Sequence, residues 1–218
     1  MTDDDDKKEE TSACESEGKE GEKTDVSEVQ QVVLQGRVVE LSHERMSELL
    51  KSGFPPVADE KNFNLKVDGE TAAAVLGLFE KSEGVEILSA PRVTTVDGRE
   101  ARVSVTSALA LPDGAVPPGI EIGFVPTVLP DKESTHLKIN LLMTEFLGLD
   151  SGAKNLPRFR ARNVEHEETL GPGEVLLLGR SVLVGEGESR EAKLQIYSFG
   201  ADLIDAAGNL LRRREIKN

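Results

Sequence analysis

The segment HLKINLLM at residues 136–143 is the stretch that most directly determines the fold of this 218-residue chain. Apolar residues at positions 137, 139, 141 and 143 alternate with polar residues at 136, 138 and 140. Successive side chains of a strand point to opposite faces of its sheet, so this alternation predicts a strand with one buried and one exposed face. The turn residues PDKE at 130–133 separate it from a second predicted strand, IEIGFV at 120–125.

Outward from this segment, most of the chain also has the pattern of strands. Apolar and β-branched runs bounded by turn residues predict further strands at 32–41, 85–88, 93–96, 101–105, 158–170, 175–178 and 194–199. The dipeptide Asp97-Gly98 favours a tight hairpin turn. We therefore expect strands 93–96 and 101–105 to pair with each other.

Two short helices are predicted before residue 85. Ser42 is suited to cap the first, in which Met46, Leu49 and Leu50 recur at helical spacing. The second follows Asp68 and spans 70–82, where apolar residues fall at positions 72, 75, 76 and 79. Two N-terminal helices packed on strands, followed by a mainly antiparallel β portion, predict an α+β fold.

Charge divides the chain into segments. Residues 1–28 contain twelve acidic, four basic and few hydrophobic side chains, a composition that favours a disordered acidic tail. Its residues 3–7, DDDDK, also match a common protease-cleavage tag. We expect a tail at 1–29, one globular domain at 30–212 and a short C-terminal tail at 213–218.

The composition argues against several classes of function. The formal net charge of −14 at pH 7 repels a phosphate backbone, which disfavours nucleic-acid binding. One cysteine forms neither an internal disulfide nor a cysteine-based zinc site. The sequence has no apolar run of the roughly 18 residues that a spanning helix needs. Its acidic start, MTDDDDK, differs from the basic start of a secretory signal.

Cys14 has two interpretations. The segment TSAC at 11–14 resembles the end of a bacterial lipidation signal, and a charged spacer follows it. The apolar segment that should precede such a signal is absent from the sequence, so this interpretation requires a lipoprotein leader that has been replaced. In the alternative, Cys14 is an exposed cysteine in the acidic tail.

The three histidines, His43, His136 and His166, are the first candidates for catalysis or metal binding. None has a ligand spacing such as His-Glu-x-x-His, and HEE at 166–168 is expected to be a charged strand face. The segment GEGE at 185–188 is expected to be a hairpin turn, because its carboxylates would repel a phosphate. No catalytic, cofactor-binding or metal-binding residue is predicted, and the chain is not expected to be an enzyme.

Arg158, Arg160 and Arg162 fall on one face of a predicted strand. In one interpretation they form a solvated face that neighbouring acidic residues balance. In the other they form an inter-subunit stripe that pairs with carboxylates of the next copy, because bidentate arginine–carboxylate pairs fix orientation.

The block LSAPRVTTVDGREA at 88–101 resembles the signature of the secretins, the ring-forming outer-membrane channels of type II and type III secretion and of type IV pili. In that family a helix precedes a strand that reads roughly Leu-Ser-x-Pro-Arg, and the predicted helix 70–82 has this position. Further segments are similar to the family in the same order: the strand 32–41, GIEIGFVPTVL at 119–129, GEVLLLG at 173–179 and LIDAAGN at 203–209. The likeness covers about residues 31–210.

Two features depart from the secretin pattern. Secretins usually carry a long insertion that builds the gate, whereas residues 106–118 hold three prolines and a glycine and predict a loop. The late glycine pair of the family is broken, because Arg180 follows Gly179. With one Tyr, no Trp and seven Phe, the chain also lacks the aromatic residues that strands facing a bilayer place at both interfaces. We expect a module that neither gates nor inserts into a membrane.

The resemblance implies a non-enzymatic structural protein that self-associates head to tail into a ring or channel-like assembly for protein secretion across the bacterial envelope. Its implied partners are copies of itself and other secretion-system or envelope proteins, without a cofactor, in the periplasm or outer membrane. The alternative is a monomeric or dimeric, envelope-associated protein-binding module on the same fold. An enzyme is a third hypothesis, which would need a deep pocket with a strongly shifted titratable group.

Overall fold

The computed structural model describes residues 30–106, 117–150, 156–185 and 190–211. The expectations for the acidic tail 1–29 and its Cys14, for most of the loop 106–118, for most of the turn 185–188 and for the C-terminal tail lie outside these residues. In the described part of the chain, neither helix combines the length and the apolar content needed to cross a membrane.

Strands dominate the fold, with two short helices near its N-terminal end. The elements in chain order are β1 (Gln31–Ser42), α1 (His43–Lys51), β2 (Asn62–Val67), α2 (Gly69–Lys81), β3 (Val85–Ser89), β4 (Arg92–Val96), β5 (Ala101–Thr106), β6 (Gly119–Val128), β7 (Thr135–Leu149), β8 (Pro157–Leu170), β9 (Val175–Val184) and β10 (Glu191–Ile204). The architecture is therefore mainly antiparallel β with two short helices, as the sequence indicated.

The strands form two antiparallel sheets. The six-stranded sheet has the order β2-β9-β10-β1-β3, and β4 pairs with the first half of β1 while β3 pairs with its second half. The four-stranded sheet has the order β5-β6-β7-β8. Because its three neighbouring pairs are all antiparallel, β5 and β8 at its two edges run in opposite directions.

The main core lies between the two sheets. The alternating residues Leu137, Ile139, Leu141 and Met143 of β7 are buried there, as their spacing predicted. Phe124 of the four-stranded sheet meets residues of β1 and β10 in the same cluster, including an edge-to-face contact with the ring of Phe199. The alternation in β7 therefore identifies the face of the four-stranded sheet that packs against the six-stranded sheet.

A second core lies on the other face of the six-stranded sheet. Met46 and Leu49 of α1 and Val75 and Phe79 of α2 are buried in it together with residues of β1, β9 and β10. Ser42 caps α1 by accepting a hydrogen bond from the Arg45 amide at 3.1 Å. Asp68 caps α2 in the same way through the Thr71 amide at 2.8 Å. A carboxylate or hydroxyl at these positions satisfies an amide that the first helical turn leaves free.

The expected hairpin between 93–96 and 101–105 is wrong. β4 pairs with β1 in the six-stranded sheet, whereas β5 pairs with β6 in the four-stranded sheet. The Asp97-Gly98 turn, which follows β4 of the six-stranded sheet, is instead bonded to β6 of the four-stranded sheet: the Asp97 carboxylate accepts from the Val128 amide at 2.7 Å, and the Gly98 amide donates to the Pro126 carbonyl at 2.8 Å. The turn thus carries the chain from one sheet to the other.

Candidate functional site

The two edges of the four-stranded sheet are candidate contact surfaces. Within the described residues, no strand pairs with the outer side of β5 or with the outer side of β8. Such edges present unpaired amides and carbonyls that can pair with another chain. Since the two edges run in opposite directions, β8 of one copy can pair with β5 of a second copy in the antiparallel sense that the rest of the sheet already has.

Pro126 shows which amides of this sheet point outward. The Pro126 carbonyl faces the β5 side, because it accepts from Gly98 just before β5. A residue's amide and carbonyl point to the same side of a strand and alternate along it, so the even-numbered residues of β6 bond to β5. Phe124 pairs with Ala101, which directs the amides of Ala101 and Val103 inward. The Ser104 amide therefore points outward, away from the sheet.

The same alternation applies to β7, whose even-numbered residues bond to β6 and whose odd-numbered residues bond to β8. Leu141 therefore forms a hydrogen-bonded pair with Val164, and the amide of the next residue in β8, Asn163, points outward. Ser104 and Asn163 also lie on one transverse row of the sheet. Both side chains are exposed on the face that points away from the core. Each edge strand thus has an outward-pointing amide on the same transverse row of the sheet, which no described strand bonds.

A cavity of about 860 Å³ opens between the two sheets at one end of the main core. Leu88, Val105, Ile120 and Phe146 supply apolar parts of its lining. Glu40, Glu145, Arg162, Lys193 and Gln195 supply polar parts. Glu40 is paired with Lys193, and Glu145 is paired with Arg162.

One polar network at this cavity is largely buried, with only Lys193 partly exposed. The Glu40 side chain accepts from Lys193 Nζ at 3.0 Å and from Gln195 Nε2 at 2.9 Å. The Gln195 Oε1 atom accepts from the Tyr197 hydroxyl at 2.8 Å. The hydrogen bond to Glu40 raises the pKa of Lys193 above its usual value, despite the opposing effect of burial. The network ties β1 to β10 where the two sheets separate.

Burial raises the pKa of Tyr197 to about 12. A phenol with an unperturbed pKa of 10.0 is then neutral in the folded protein at a pH where it is ionised in the unfolded chain. The stabilisation that this shift provides is complete below pH 10 and is lost as the pH rises towards 12. Tyr197 is the only tyrosine and the chain has no tryptophan, so tyrosinate absorbance reports this residue alone.

We therefore predict that tyrosinate absorbance in the native protein rises well above pH 10, towards 12, and in urea-unfolded protein near pH 10. The free energy of unfolding should fall over the same interval. In the control variant Tyr197→Phe, the free energy of unfolding should decrease less over this pH interval, because no phenol is present to ionise. Coincident native and unfolded titrations would contradict the buried placement of the ring.

The arginines predicted to form a stripe are partly engaged within their own chain. Arg160 and Arg162 both contact Glu145 Oε2, at 3.3 and 3.1 Å, and both donate to the Leu183 carbonyl at 2.8 Å. These two arginines therefore join the first half of β8 to the end of β9. The carboxylate of Glu145 balances them, as one interpretation expected, but the face is not solvated, because their side chains are only 20% and 15% exposed. Arg158 is exposed on the same strand.

The three histidines are not brought together: His43 begins α1, whereas His136 and His166 lie on the neighbouring strands β7 and β8 and point to opposite faces of the sheet. His43 Nε2 is 3.0 Å from Ser181 Oγ, and His136 Nδ1 is 3.2 Å from Thr169 Oγ1. His166 Nε2 is 3.9 Å from Glu168 Oε2, which is too long for a hydrogen bond. The described residues contain no group of three or more metal-ligating side chains.

Neither a protein-family model nor a curated protein sequence matches the chain. Among solved structures, the chain is similar to the secretin PilQ of the V. cholerae type IV competence pilus, with 11% identity and a TM-score of 0.47, over 81% of this chain and 61% of that one. It is also similar to the ETEC secretin GspD in a complex with the pilotin AspS, with 13% identity and a TM-score of 0.43, over 81% of this chain and 50% of that one.

A third similar structure is the Salmonella SPI-1 type III secretion injectisome secretin InvG, with 10% identity and a TM-score of 0.37, over 82% of this chain and 66% of that one. All three are secretins, the family that the sequence resemblance names. The chain spans about half to two thirds of the length of these structures.

Proposed function

We propose that this chain is a non-enzymatic structural protein of the bacterial envelope that self-associates head to tail into a ring. By analogy with the secretins that its sequence resembles, the ring would serve protein secretion and would contact other secretion-system or envelope proteins. The observation that carries the proposal is the pair of edges β5 and β8, which no other described strand covers, and which run in opposite directions and can therefore continue one antiparallel sheet from copy to copy.

Exposed apolar side chains on both flanks of the molecule support this contact. Val105 on β5 is 51% exposed, and Ile87 and Leu88 on β3 are 42% and 37% exposed. Leu183, near the opposite flank on β9, is 54% exposed. Burial of apolar surface stabilises association by about 25 cal/mol per Å² before the costs of ordering. A second copy paired at either edge would cover part of this surface.

The first test is the mass of the purified protein in solution. A ring predicts a species many times larger than 23.6 kDa that persists on dilution, with annular particles in negative-stain images. A mass of one or two copies at all concentrations would overturn the ring and favour the protein-binding module.

Cysteine cross-linking then tests which edges meet. In a Cys14→Ser background, Ser104→Cys is combined in turn with Ala161→Cys, Asn163→Cys and Glu165→Cys, which lie on the same outward face of the sheet at two-residue intervals. A short bismaleimide should convert at least one of these variants into a ladder of covalent oligomers. The matched control is Ser104→Cys with Val164→Cys, because Val164 points to the other face and should give no ladder. Equal ladders in the control and the test variants would contradict the edge pairing.

A further inference from the structure

Five residues, one from each of the strands β3, β1, β10, β9 and β2, form a row across the six-stranded sheet. Register places Glu86 beside Glu40, Glu40 beside Gln195, Gln195 beside Arg180, and Arg180 beside Asn62. Directly paired residues point to the same face of a sheet. Glu40, Gln195 and Arg180 line cavities between the two sheets, so the whole row faces the four-stranded sheet.

The charges within the row are balanced in its middle and unbalanced at its ends. Glu40 is held by Lys193 and Gln195. Arg180 donates only to neutral oxygens among the described residues, namely the Phe63 carbonyl, the Gly179 carbonyl and Asn64 Oδ1. At the other end, the exposed Glu86 carboxylate makes no hydrogen bond with any described residue, and its charge acts at longer range on Lys193, whose pKa it helps to raise. A cation therefore lies near one edge of the sheet and an anion at the other.

Arg180 and Glu86 cannot meet within one molecule. Two strands, β1 and β10, lie between β3 and β9, which separates the two residues by three strand spacings, or about 14 Å. Arg180 also extends away from Glu86, because its guanidinium donates to Phe63 and Asn64 on the edge strand β2.

The edges of the two sheets lie on common flanks. Lys66 Nζ of β2 donates to the Thr169 carbonyl of β8 at 3.2 Å, which places β2 and β8 on one flank. β4 pairs with β1 on the same side as β3 and leads through the Asp97-Gly98 turn into β5, which places β3 and β5 on the other flank. A head-to-tail contact of β8 with β5 would therefore bring the β2 flank of one copy against the β3 flank of the next.

We infer that Arg180 of one copy and Glu86 of the next form an inter-subunit ion pair, so that the partner recognised at the β2 flank is a second copy of this chain. This inference rests on the proposed ring and deepens it by naming a residue pair. The pair also selects the head-to-tail arrangement. Two β2 flanks would oppose arginine to arginine, two β3 flanks would oppose glutamate to glutamate, and like charges at a contact are repulsive.

Charge reversal tests the pair. Arg180→Glu alone and Glu86→Arg alone should each lower the assembled fraction at least tenfold at a fixed protein concentration. The double variant, Arg180→Glu with Glu86→Arg, should assemble like the unchanged protein. Glu83→Arg is the matched control, because it makes the same charge change on an exposed residue three positions away and outside the row. It should assemble normally.

Mixing the two single variants provides a test that does not depend on the double variant. In a ring in which the two variants alternate, each substituted position 180 would face a substituted position 86, and each unchanged Arg180 would face an unchanged Glu86. The equimolar mixture should therefore assemble, although each variant alone does not. Circular dichroism of each single variant verifies its fold.

The outcomes separate the inference from the proposed function. If the unchanged protein assembles and both single variants assemble equally well, the ion pair is refuted and the ring is retained. If both single variants fail to assemble but neither the mixture nor the double variant recovers, the pairing of these two residues is refuted. If the unchanged protein is a monomer, the ring itself is refuted, and the pair with it.

Discussion

The variant Ser104→Pro is expected to be a folded monomer of 23.6 kDa under conditions in which the unchanged protein forms rings. The Ser104 amide points outward from β5, so proline removes a donor that only a second copy would use. Proline is tolerated on an edge strand when the missing amide faces away from the sheet. The loss is expected to be complete, because the proline ring also blocks the approach of another strand. Light scattering and sedimentation measure the mass.

Three further variants make this result specific to the outward amide. Ser104→Ala removes the same side chain but keeps the amide, and should assemble normally. Asn163→Pro alters the corresponding outward amide of β8 and should also give a monomer. Val103→Pro instead removes an amide directed towards β6, so it should lower the free energy of unfolding as well. Rings formed by Ser104→Pro would show that the β5 edge is not used.

The substitution Gly179→Ala is expected to lower the free energy of unfolding by about 3 kcal/mol, at the upper end of overpacking effects in cores. A Cβ atom at this position would lie 2.1 Å from Cε1 of Phe63, which is far inside contact distance. Phe63 is buried, and its ring makes an edge-to-face contact with Phe54 at 6.0 Å between centroids. The ring cannot move aside without disturbing the core beneath the helices. A loss of this size is a large part of the roughly 5–15 kcal/mol that stabilises a typical domain.

Urea denaturation followed by circular dichroism measures this effect. Gly77→Ala is the matched control, because nothing lies within 4 Å of a Cβ atom at this position in α2. It should raise the free energy of unfolding by about 0.5–1 kcal/mol, since alanine is the better helix former. Equal stability of Gly179→Ala and the unchanged protein would contradict the contact between Phe63 and β9.

Local patterns in the sequence predicted the elements that depend on local physics. The alternation in 136–143 identifies β7 and its buried face because a strand has a period of two residues. Ser42 and Asp68 locate the starts of both helices because a capping side chain bonds within its own turn. β2 is not among the predicted strands, although Phe63, Leu65 and Val67 alternate with polar residues in the pattern of a short strand.

Pairing between distant segments could not be read from the same patterns. Asp97-Gly98 predicted a turn, and a turn is present, but the dipeptide does not specify which strands pair on either side of it. Likewise, the sequence placed Arg160 and Arg162 on one face of a strand, but not beside Glu145 and the end of β9. The sequence indicates of Arg180 only that it departs from a glycine pair. Its relation to Glu86 depends on the register of three strand pairs, which only the folded sheet supplies.

The four-stranded sheet constrains how relatives of this chain could vary. With an even number of antiparallel strands, the first and last always run oppositely, and each copy can add to the next without a parallel junction. Gain or loss of a whole hairpin preserves this parity. Gain or loss of a single strand reverses it and would force a parallel seam at every junction. In relatives that form a closed ring, insertions into this sheet are therefore expected to add strands in pairs.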